Sequence, residues 1–497
     1  MRTRVLIGLG LALLVVVFVV VLPWRSLDSA GPFQSEPFQS GPDQSGPFRS
    51  DDVAGSTRGA EGIGDSYFPR AGNGGYDVTG YDIQLRYDPA TDRIEGRTTI
   101  SARTTQNLSQ FNLDLRLTAT AVEVDGRPAT IRQDDGELVV TPAETVPADQ
   151  PMVVRVDYAG VPSEISGGSG PAEPWVRTAD GAVAVGQPEI ATWWYPSNDH
   201  PSDKATVAVT ATVPAGVEAI SNGALLGGPE PAEPGWERWR WQASEPMAPY
   251  LAFVAIGQYE LVRRDTPFGP YLAAYGEGLD PEVAGSARAA LERTPEIVGL
   301  LATIFGDYPF AQLGAVVPNA PDMYFALETQ TRPVYGPIFF EGTEDFSVVV
   351  HELAHQWFGD SVAIQRWRDI WLNEGFATYA EWLYSERTGG PSAQRLAEEQ
   401  YEVIPADADF WQVPPGDPTA AGVLDGPVYV RGAMALAALR TAVGDADFFA
   451  ALRAWVTERR GGNGTVEDFL GVVERVSGEQ VDEVAEVWLF RAGRPGT

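Results

Sequence analysis

The sequence contains no cysteine in its 497 residues. This absence excludes disulfide bonds, thiolate metal ligands, a thiol nucleophile and a lipid anchor attached through cysteine. Basic residues are scarce as well, because there are 35 Lys and Arg against 68 Asp and Glu, which gives a formal net charge of −33. A chain of this charge repels a phosphate backbone, so the composition argues against nucleic acid as a partner.

Charged residues are also missing from the apolar run at residues 5–22, which follows Arg2 and Arg4. A helix of this length spans about 27 Å, just enough to cross the hydrocarbon core of a bilayer. We therefore expect residues 1–25 to form a transmembrane anchor, with the basic flank in the cytoplasm and the rest of the chain outside the membrane. The alternative is a cleaved signal peptide, which would release the remainder as a secreted protein.

The next stretch lacks the apolar residues that a core requires. Four five-residue units, GPFQS, EPFQS, GPDQS and GPFRS, occupy residues 31–50. Repeats rich in Pro, Gly, Ser and Gln do not bury a core. Residues 26–65 are therefore predicted to be a disordered tether that holds a folded part of the chain away from the membrane.

The remaining sequence changes its hydrophobic period once. Segments such as YDIQLRY (residues 81–87) and TVAVTATV (residues 206–213) alternate with period two, which predicts an antiparallel β-domain over residues 66–264. After about Pro267 the segments PEVAGSARAALERTPEIVGLLATIF, DFSVVVHELAHQWFG and WLNEGFATYAEWLYSERTGG have a helical pattern. The predicted fold class is α+β, with the β-domain followed by a mainly helical domain over residues 265–497.

Histidine is rare, yet two of the three histidines lie four residues apart in HELAHQWFGD. One helical turn separates His351 from His355, so both imidazoles project from one face of a helix and can share a metal ion. Imidazole nitrogen suits Zn²⁺, and Glu352 lies where it can reach a water at the metal. The pattern therefore predicts a zinc site.

Two histidines are too few for such a site, which needs a third protein ligand and an open fourth position. With no cysteine and only the distant His200 left, this ligand should be a carboxylate. Glu374 follows His355 after eighteen intervening residues and has apolar neighbours in WLNEGFATY, where an unpaired carboxylate would be costly. We predict one Zn²⁺ per chain, bound by His351, His355 and Glu374.

HELAHQWFGD, the eighteen-residue spacing and WLNEGFATY together resemble the aminopeptidase N family of zinc metallopeptidases, which are of the gluzincin type. The resemblance covers about residues 76–495. It implies an N-terminal β-saddle domain followed by a thermolysin-like catalytic domain. It also implies that the chain hydrolyses the N-terminal bond of peptides with a metal-activated water, with Glu352 as the general base.

The family has an exopeptidase motif of the form Gly-x-Met-Glu-Asn, whose glutamate binds the free α-amine of the substrate. Its counterpart here is FALET, residues 325–329, which implies that Glu328 has this role. The other motif positions depart from the family, because Phe325, Leu327 and Thr329 stand where it has Gly, Met and Asn.

Two further segments extend the resemblance. GQPEIATWWYPSNDHPSDKATV is similar to the amine-binding stretch of the family's β-domain, which implies that Glu189 is a second carboxylate for the substrate amine. VYVRGAMALAALR resembles the family's Tyr-x-Lys-Gly segment, with Arg431 in the place of the Lys. The resemblance then implies that the hydroxyl of Tyr429 stabilises the oxyanion.

Larger members of the family continue into a C-terminal helical domain that covers the active site, whereas this chain stops 68 residues after Tyr429. We therefore expect a less enclosed cleft, and three functions stay open. The first is an extracytoplasmic zinc aminopeptidase acting on peptides with a free N-terminus, and the second is a zinc endopeptidase with an open cleft. The third is a catalytically inactive surface binding protein on a peptidase scaffold. The sequence determines neither the preferred N-terminal residue nor the oligomeric state.

Overall fold

In the computed structural model of the protein, the described residues are 58–167, 174–342 and 346–496. The predicted anchor at residues 1–25 lies outside these ranges, as does the predicted tether up to residue 57. Within the described residues, no helix combines the length and the apolar character needed to cross a bilayer.

The first part of the chain is rich in β-strands, as the period of the sequence predicts. Its largest sheet has eight strands, which follow one another across the sheet in the order Ala224–Glu233, Trp236–Met247, Ala205–Pro214, Tyr76–Asp88, Arg93–Thr104, Pro151–Gly160, Thr118–Val124 and Arg127–Pro128. Neighbouring strands are antiparallel except Tyr76–Asp88 and Ala205–Pro214, which are parallel. This pair is the exception in a sheet that is mostly antiparallel, as the sequence predicts.

Side chains alternate between the core and the solvent along these strands. Ile83 and Leu85 are buried while Gln84 between them is exposed, because successive residues of a strand point to opposite faces. Two smaller sheets complete the β-rich part. One contains Glu218–Ser221, Val254–Gly257, Ala182–Ala184 and Trp175–Arg177, and the other contains Phe111–Asp114, Glu137–Thr141 and Thr130–Asp134.

The second part is mainly helical but includes a sheet that the sequence does not predict, and the first strand of this sheet begins before the predicted boundary. Its five strands follow the order Tyr259–Thr266, Gly269–Gly276, Leu313–Val317, Val334–Tyr335 and Ala326–Leu327. The α-helices are α1 (Pro281–Leu291), α2 (Thr294–Phe305), α3 (Ser347–Ala354), α4 (Trp371–Arg387), α5 (Ala393–Val403), α6 (Gly426–Val443), α7 (Asp445–Arg459), α8 (Val466–Ser477) and α9 (Asp482–Ala485). A single π-helical turn, Glu486–Phe490, follows α9.

Two cationic side chains, the half-buried Lys204 and the buried Arg332, join the two parts. The ammonium group of Lys204, the one lysine of the chain, donates to the backbone oxygens of Asp360 at 2.8 Å and Ser361 at 2.9 Å. Burial lowers the pKa of Lys204 to about 7. In the opposite direction, the buried guanidinium of Arg332 donates to the backbone oxygen of Ser221. The described residues accordingly form one compact unit, and the predicted boundary between residues 264 and 265 stays a prediction.

The contact region between the β-rich part and the helical part is called the seam below. The end of the predicted tether also lies in this seam, which corrects its description as a disordered spacer up to residue 65. Asp65 is buried, and its Oδ2 accepts the backbone N–H of Trp367 at 2.8 Å. The same oxygen lies 3.2 Å from Nε2 of His200. The third histidine of the chain is therefore the partner of a buried carboxylate at the seam.

Candidate metal centre and its surroundings

Helix α3 positions the two histidines of the HELAH motif. The helix ends at Ala354, but His355 keeps helical backbone angles (φ −57°, ψ −24°) as its C-cap, so the spacing of one turn is preserved. The imidazole rings of His351 and His355 consequently lie on the same side, with their centroids 4.8 Å apart.

Helix α4 contributes the carboxylate that is predicted to be the third metal ligand. Glu374 lies in the first turn of α4, and its Oε2 is 3.3 Å from Nε2 of both His351 and His355. One ligand atom from each of the three residues lies within 4.8 Å of the others. Two imidazole nitrogens and one carboxylate oxygen form the donor set of catalytic zinc sites, which leave one position open for water or substrate. The three residues therefore fit Zn²⁺.

The second ring nitrogen of each histidine has its own partner. Nδ1 of His351 lies 2.8 Å from Oε1 of Glu381, and Nδ1 of His355 lies 3.0 Å from the backbone oxygen of Phe358. Both acceptors favour the tautomer with the proton on Nδ1, which leaves the Nε2 lone pairs directed towards Glu374 and the metal position.

Replacing Glu381 by alanine is expected to weaken zinc binding about 10- to 100-fold, because the acceptor that orients the His351 ring is lost. Competition between the protein and a zinc-binding dye measures this change. Glu381→Gln is the matched control, since its amide oxygen can still accept the hydrogen bond, and it should lose less affinity than the alanine variant. Equal zinc affinity in Glu381→Ala and the wild type would contradict the role given to Glu381.

The carboxylates around the metal position have different environments. Burial raises the pKa of Glu352 to about 8, although His351 and His355 oppose this effect. Burial also disfavours the charged form of Glu374, but the two histidines hold the pKa of this carboxyl at about 2. Glu374 is thus anionic beside the imidazoles, as a metal ligand must be, whereas Glu352 exchanges its proton near neutral pH.

Glu328 lies next to this centre. Carboxylate oxygens of Glu328 and Glu352 and a ring nitrogen of His355 all lie within 4.8 Å of one another. Glu328 is only 2% exposed, and its Oε1 accepts the Tyr250 hydroxyl at 3.0 Å and the Gln187 amide at 3.4 Å. Burial raises the pKa of Glu328, so an additional positive partner would favour its charged form.

Glu189, the second carboxylate predicted for the substrate amine, has another partner in the structure. Its carboxylate oxygens lie 3.3 and 3.5 Å from Nη2 of Arg116. The residue of this segment that contacts Glu328 is Gln187, two positions earlier. The quoted segment GQPEIATWWYPSNDHPSDKATV contains both residues, but the sequence alone does not tell which of them reaches the site.

Tyr429 enters from helix α6. Its ring stacks on that of His351, with the centroids 6.0 Å apart and an interplanar angle of 20°. Burial raises the pKa of Tyr429 well above 10, so its hydroxyl stays protonated and can donate a hydrogen bond. A close approach of α4 and α6 makes this placement possible, because a Cβ added to Gly375 would lie 3.0 Å from the backbone of Gly432.

Arg431 holds the end of the chain against α6. It is fully buried, and its guanidinium donates to the backbone oxygens of Trp411 at 2.8 Å and Trp488 at 2.9 Å. The residue that replaces the family's lysine is therefore a structural link next to Tyr429.

Three neighbours of the centre are absent from the residues proposed on sequence grounds: Gln187, Tyr250 and Glu381. Glu381 could have been found, because it lies seven residues after Glu374 and therefore on the same face of α4. Tyr250 belongs to no quoted motif, and no sequence signal identifies it.

Two family sequence profiles match the chain. The peptidase M1 N-terminal domain matches residues 78–251, and the peptidase family M1 domain matches residues 341–488. Glutamyl aminopeptidase of Rattus norvegicus is 25% identical over 461 residues, which cover 84% of this chain and 47% of the relative. Aminopeptidase N of Streptomyces lividans is 30% identical over 329 residues, which cover 60% of this chain and 36% of the relative. The chain thus spans about half or less of the length of these two proteins.

A solved structure is similar along nearly its whole length. The crystal structure of an M1 zinc metallopeptidase from Deinococcus radiodurans aligns with a TM-score of 0.77 and 30% sequence identity. The alignment covers 88% of this chain and 98% of the other. On the strength of the two profiles, this structural similarity and a donor set that fits zinc, the chain belongs to peptidase family M1.

Proposed function

We propose that this protein is a zinc-dependent aminopeptidase that hydrolyses the N-terminal peptide bond of peptides. The observation that carries the proposal is the buried carboxylate of Glu328, which lies within 4.8 Å of both Glu352 and His355. A carboxylate at this position can pair with a substrate ammonium group beside the metal. Two observations on relatives support a peptide substrate: two of them are named aminopeptidases, and a mutant of the Deinococcus radiodurans enzyme was solved with a Tyr-Ser-Ala substrate.

Zinc held by His351, His355 and Glu374 would supply a Lewis acid that polarises the scissile carbonyl and lowers the pKa of water. Glu352 would act as the general base, since a buried carboxyl with a raised pKa can accept a proton from water and return it to the leaving amine. The Tyr429 hydroxyl would donate a hydrogen bond to the oxygen on which negative charge develops.

Glu328 would decide where the peptide is cut. The free α-amine of a substrate is positively charged, so it satisfies the buried Glu328 carboxylate, which Tyr250 and Gln187 hold in place. An internal peptide nitrogen has no charge, and its binding would leave this carboxylate without a cationic partner. Cleavage is therefore expected one residue from the N-terminus.

One comparison tests this proposal: the hydrolysis of a peptide with a free N-terminus against hydrolysis of the same peptide after acetylation. The wild type should cut only the free peptide. Glu328→Ala is expected to lose about 100-fold in kcat/KM on the free peptide, because a charge-assisted hydrogen bond of about 1.5–3 kcal/mol is removed. The exposed Glu277→Ala variant is the control for removing a carboxylate and should behave as the wild type.

Equal cleavage of both peptides by the wild type would replace the proposal with the zinc endopeptidase that the sequence leaves open. No cleavage of either peptide, despite one bound zinc per chain, would favour the binding-protein alternative. Zinc content is therefore measured for every variant.

We further propose that the β-rich part is the saddle domain and that residues 265–497 form the thermolysin-like catalytic domain. We also propose that residues 1–25 anchor the protein in the membrane, outside the cytoplasm. The apolar run at residues 5–22 supports the anchor. Membrane fractionation of the full chain, compared with a chain that begins at residue 55, tests this proposal. Equal recovery of both chains in the soluble fraction would contradict it.

A further inference from the structure

A cavity of about 240 Å³ lies beside the residues proposed to bind the substrate amine. Its wall includes Pro188 and Glu189, which directly follow Gln187, the amide donor to Glu328. Trp367 forms another part of the wall, and its ring lies 5.6 Å from that of Tyr250, the hydroxyl donor to Glu328. The cavity and the proposed amine site therefore share their supporting residues.

The cavity is lined by more carboxyl groups than guanidinium groups. Five carboxylates and two guanidinium groups line it. Arg116 pairs with Glu189 at 3.3 Å, and Arg70 pairs with Asp135 at 2.8 Å. The three remaining carboxylates form no ion pair among the described residues; they belong to Asp114, Glu137 and Asp199. Two of these three acids are adjacent, because the backbone N–H of Asp199 donates to Oδ2 of Asp114 at 2.6 Å.

One carboxyl oxygen of Asp199 in particular lacks a partner, although the carboxyl also accepts a hydrogen bond from the backbone of Thr192 and is attracted by Arg116. Asp199 is 8% exposed, and its Oδ2 accepts no hydrogen bond from the residues that the structure describes. Burial, reinforced by the charge of Glu189, raises the pKa of Asp199 to about 8. A buried acceptor left without a donor is unfavourable, and a positively charged donor in the cavity would remove this penalty.

Three aromatic side chains also line the cavity. The rings of Phe68 and Trp367 meet edge to face with their centroids 5.8 Å apart, and Tyr67 lies next to them. Aromatic rings combined with carboxylates bind organic cations, through the ring faces and through charge-assisted hydrogen bonds. A hard metal ion would instead require oxygen ligands on all sides, which the aromatic walls do not provide.

We propose that this cavity binds a guanidinium or primary ammonium group, with Asp199 as its main partner. The side chain of an N-terminal arginine or lysine is the nearest source, because the cavity adjoins the residues proposed to hold the substrate amine. Binding of a substrate side chain in the cavity rests on the proposed aminopeptidase function. It would make the protein selective for peptides with a basic N-terminal residue. A free organic cation that occupies the cavity is the other source of the same chemistry.

Two experiments test this proposal, one with substrates and one with binding. The substrate arm compares kcat/KM for arginyl and citrullyl p-nitroanilides, which have nearly the same shape and differ in charge. The wild type should prefer the arginyl substrate at least about 10-fold, and Asp199→Asn should reduce this ratio to near 1. Because each ratio is internal to one variant, a general loss of activity does not affect it. Asp265→Asn, which removes an exposed carboxylate that does not line the cavity, should keep the wild-type ratio.

The binding arm uses calorimetry with n-butylguanidinium and its neutral analogue n-butylurea on the zinc-loaded Glu352→Gln protein. Binding of the cation alone, weakened at least about 10-fold by Asp199→Asn, supports the cavity as a cation site even if no substrate is hydrolysed. Glu137→Gln serves as the second variant if Asp199→Asn does not fold. If the protein binds n-butylguanidinium in preference to n-butylurea but does not prefer the arginyl substrate to the citrullyl one, the cavity is a site for a free cation. Absence of both preferences overturns the proposal, while hydrolysis of a leucyl substrate would leave the proposed function intact.

Discussion

Replacement of Glu352 by glutamine is expected to lower kcat by roughly 10³- to 10⁴-fold, the upper range for loss of a general base. Glu352 lies between the two histidines in sequence, and its carboxylate is within 4.8 Å of the nearest ring nitrogen of His355. Glutamine keeps the size and shape of the side chain but cannot accept a proton from water. The loss should therefore appear in kcat, with little change in KM.

The measurement pairs steady-state kinetics on a leucyl p-nitroanilide with the zinc content of the same preparation. Retention of one zinc per chain shows that the loss arises from the proton acceptor and not from the metal. Glu374→Gln provides the contrast, because it should lose zinc together with activity. If Glu352→Gln kept more than a tenth of the wild-type kcat, another residue would have to act as the base.

Replacement of Tyr429 by phenylalanine is expected to lower kcat by about 10²- to 10³-fold, the usual effect of removing one donor to a developing oxyanion. Phenylalanine keeps the ring that stacks on His351 with a 6.0 Å centroid separation, so the imidazole should stay in position. Because the hydroxyl is expected to act only in the transition state, KM should change little.

The control for this variant is Tyr384→Phe on α4, the helix that contributes Glu374. The hydroxyl of Tyr384 accepts a hydrogen bond from Arg293 at 2.9 Å, away from the metal position, so kcat should stay within about threefold of wild type. Zinc content and thermal unfolding are measured for both variants. Equal kcat values for the two would mean that Tyr429 supports the site only by packing.

The donor set for the metal could be predicted from the sequence because local geometry determines most of it. A spacing of four residues in a helix places His351 and His355 on one face whatever the rest of the fold does. Glu374 followed from the absence of cysteine and from its apolar surroundings. The predictions of the family, of zinc and of a β-rich part followed by a helical part are confirmed by the profiles and the solved relative. The roles of individual side chains stay predictions.

The partners of Glu328 could not be predicted in the same way. Gln187 is 141 residues away in sequence and Tyr250 is 78 residues away. Only the folded β-rich part brings them to the metal centre. Which residue of the segment GQPEIATWWYPSNDHPSDKATV lies beside Glu328 depends on this tertiary arrangement. The sequence predicts Glu189, whereas Gln187 lies beside Glu328 in the structure.

The sequence does not predict the five-stranded sheet because a central strand of it is buried on both faces. Every residue of Leu313–Val317 is buried, so this strand has no polar alternation to reveal it. Two further strands, Val334–Tyr335 and Ala326–Leu327, have only two residues each. The packed segment at residues 58–65 was missed because its composition is that of a spacer, while the hydrogen bonds of Asp65 are made across the chain to Trp367 and His200.

The seam between the two parts has a consequence for how substrates enter. Lys204, Arg332 and Asp65 each make hydrogen bonds across it, of which those of Arg332 and Asp65 are buried. Hydrogen bonds to charged groups contribute about 1.5–3 kcal/mol each. Hinge opening along the seam would break all three links and leave buried charges unpaired. Turnover should therefore proceed without domain closure as a gating step, and the width of the fixed cleft would limit which peptides gain access.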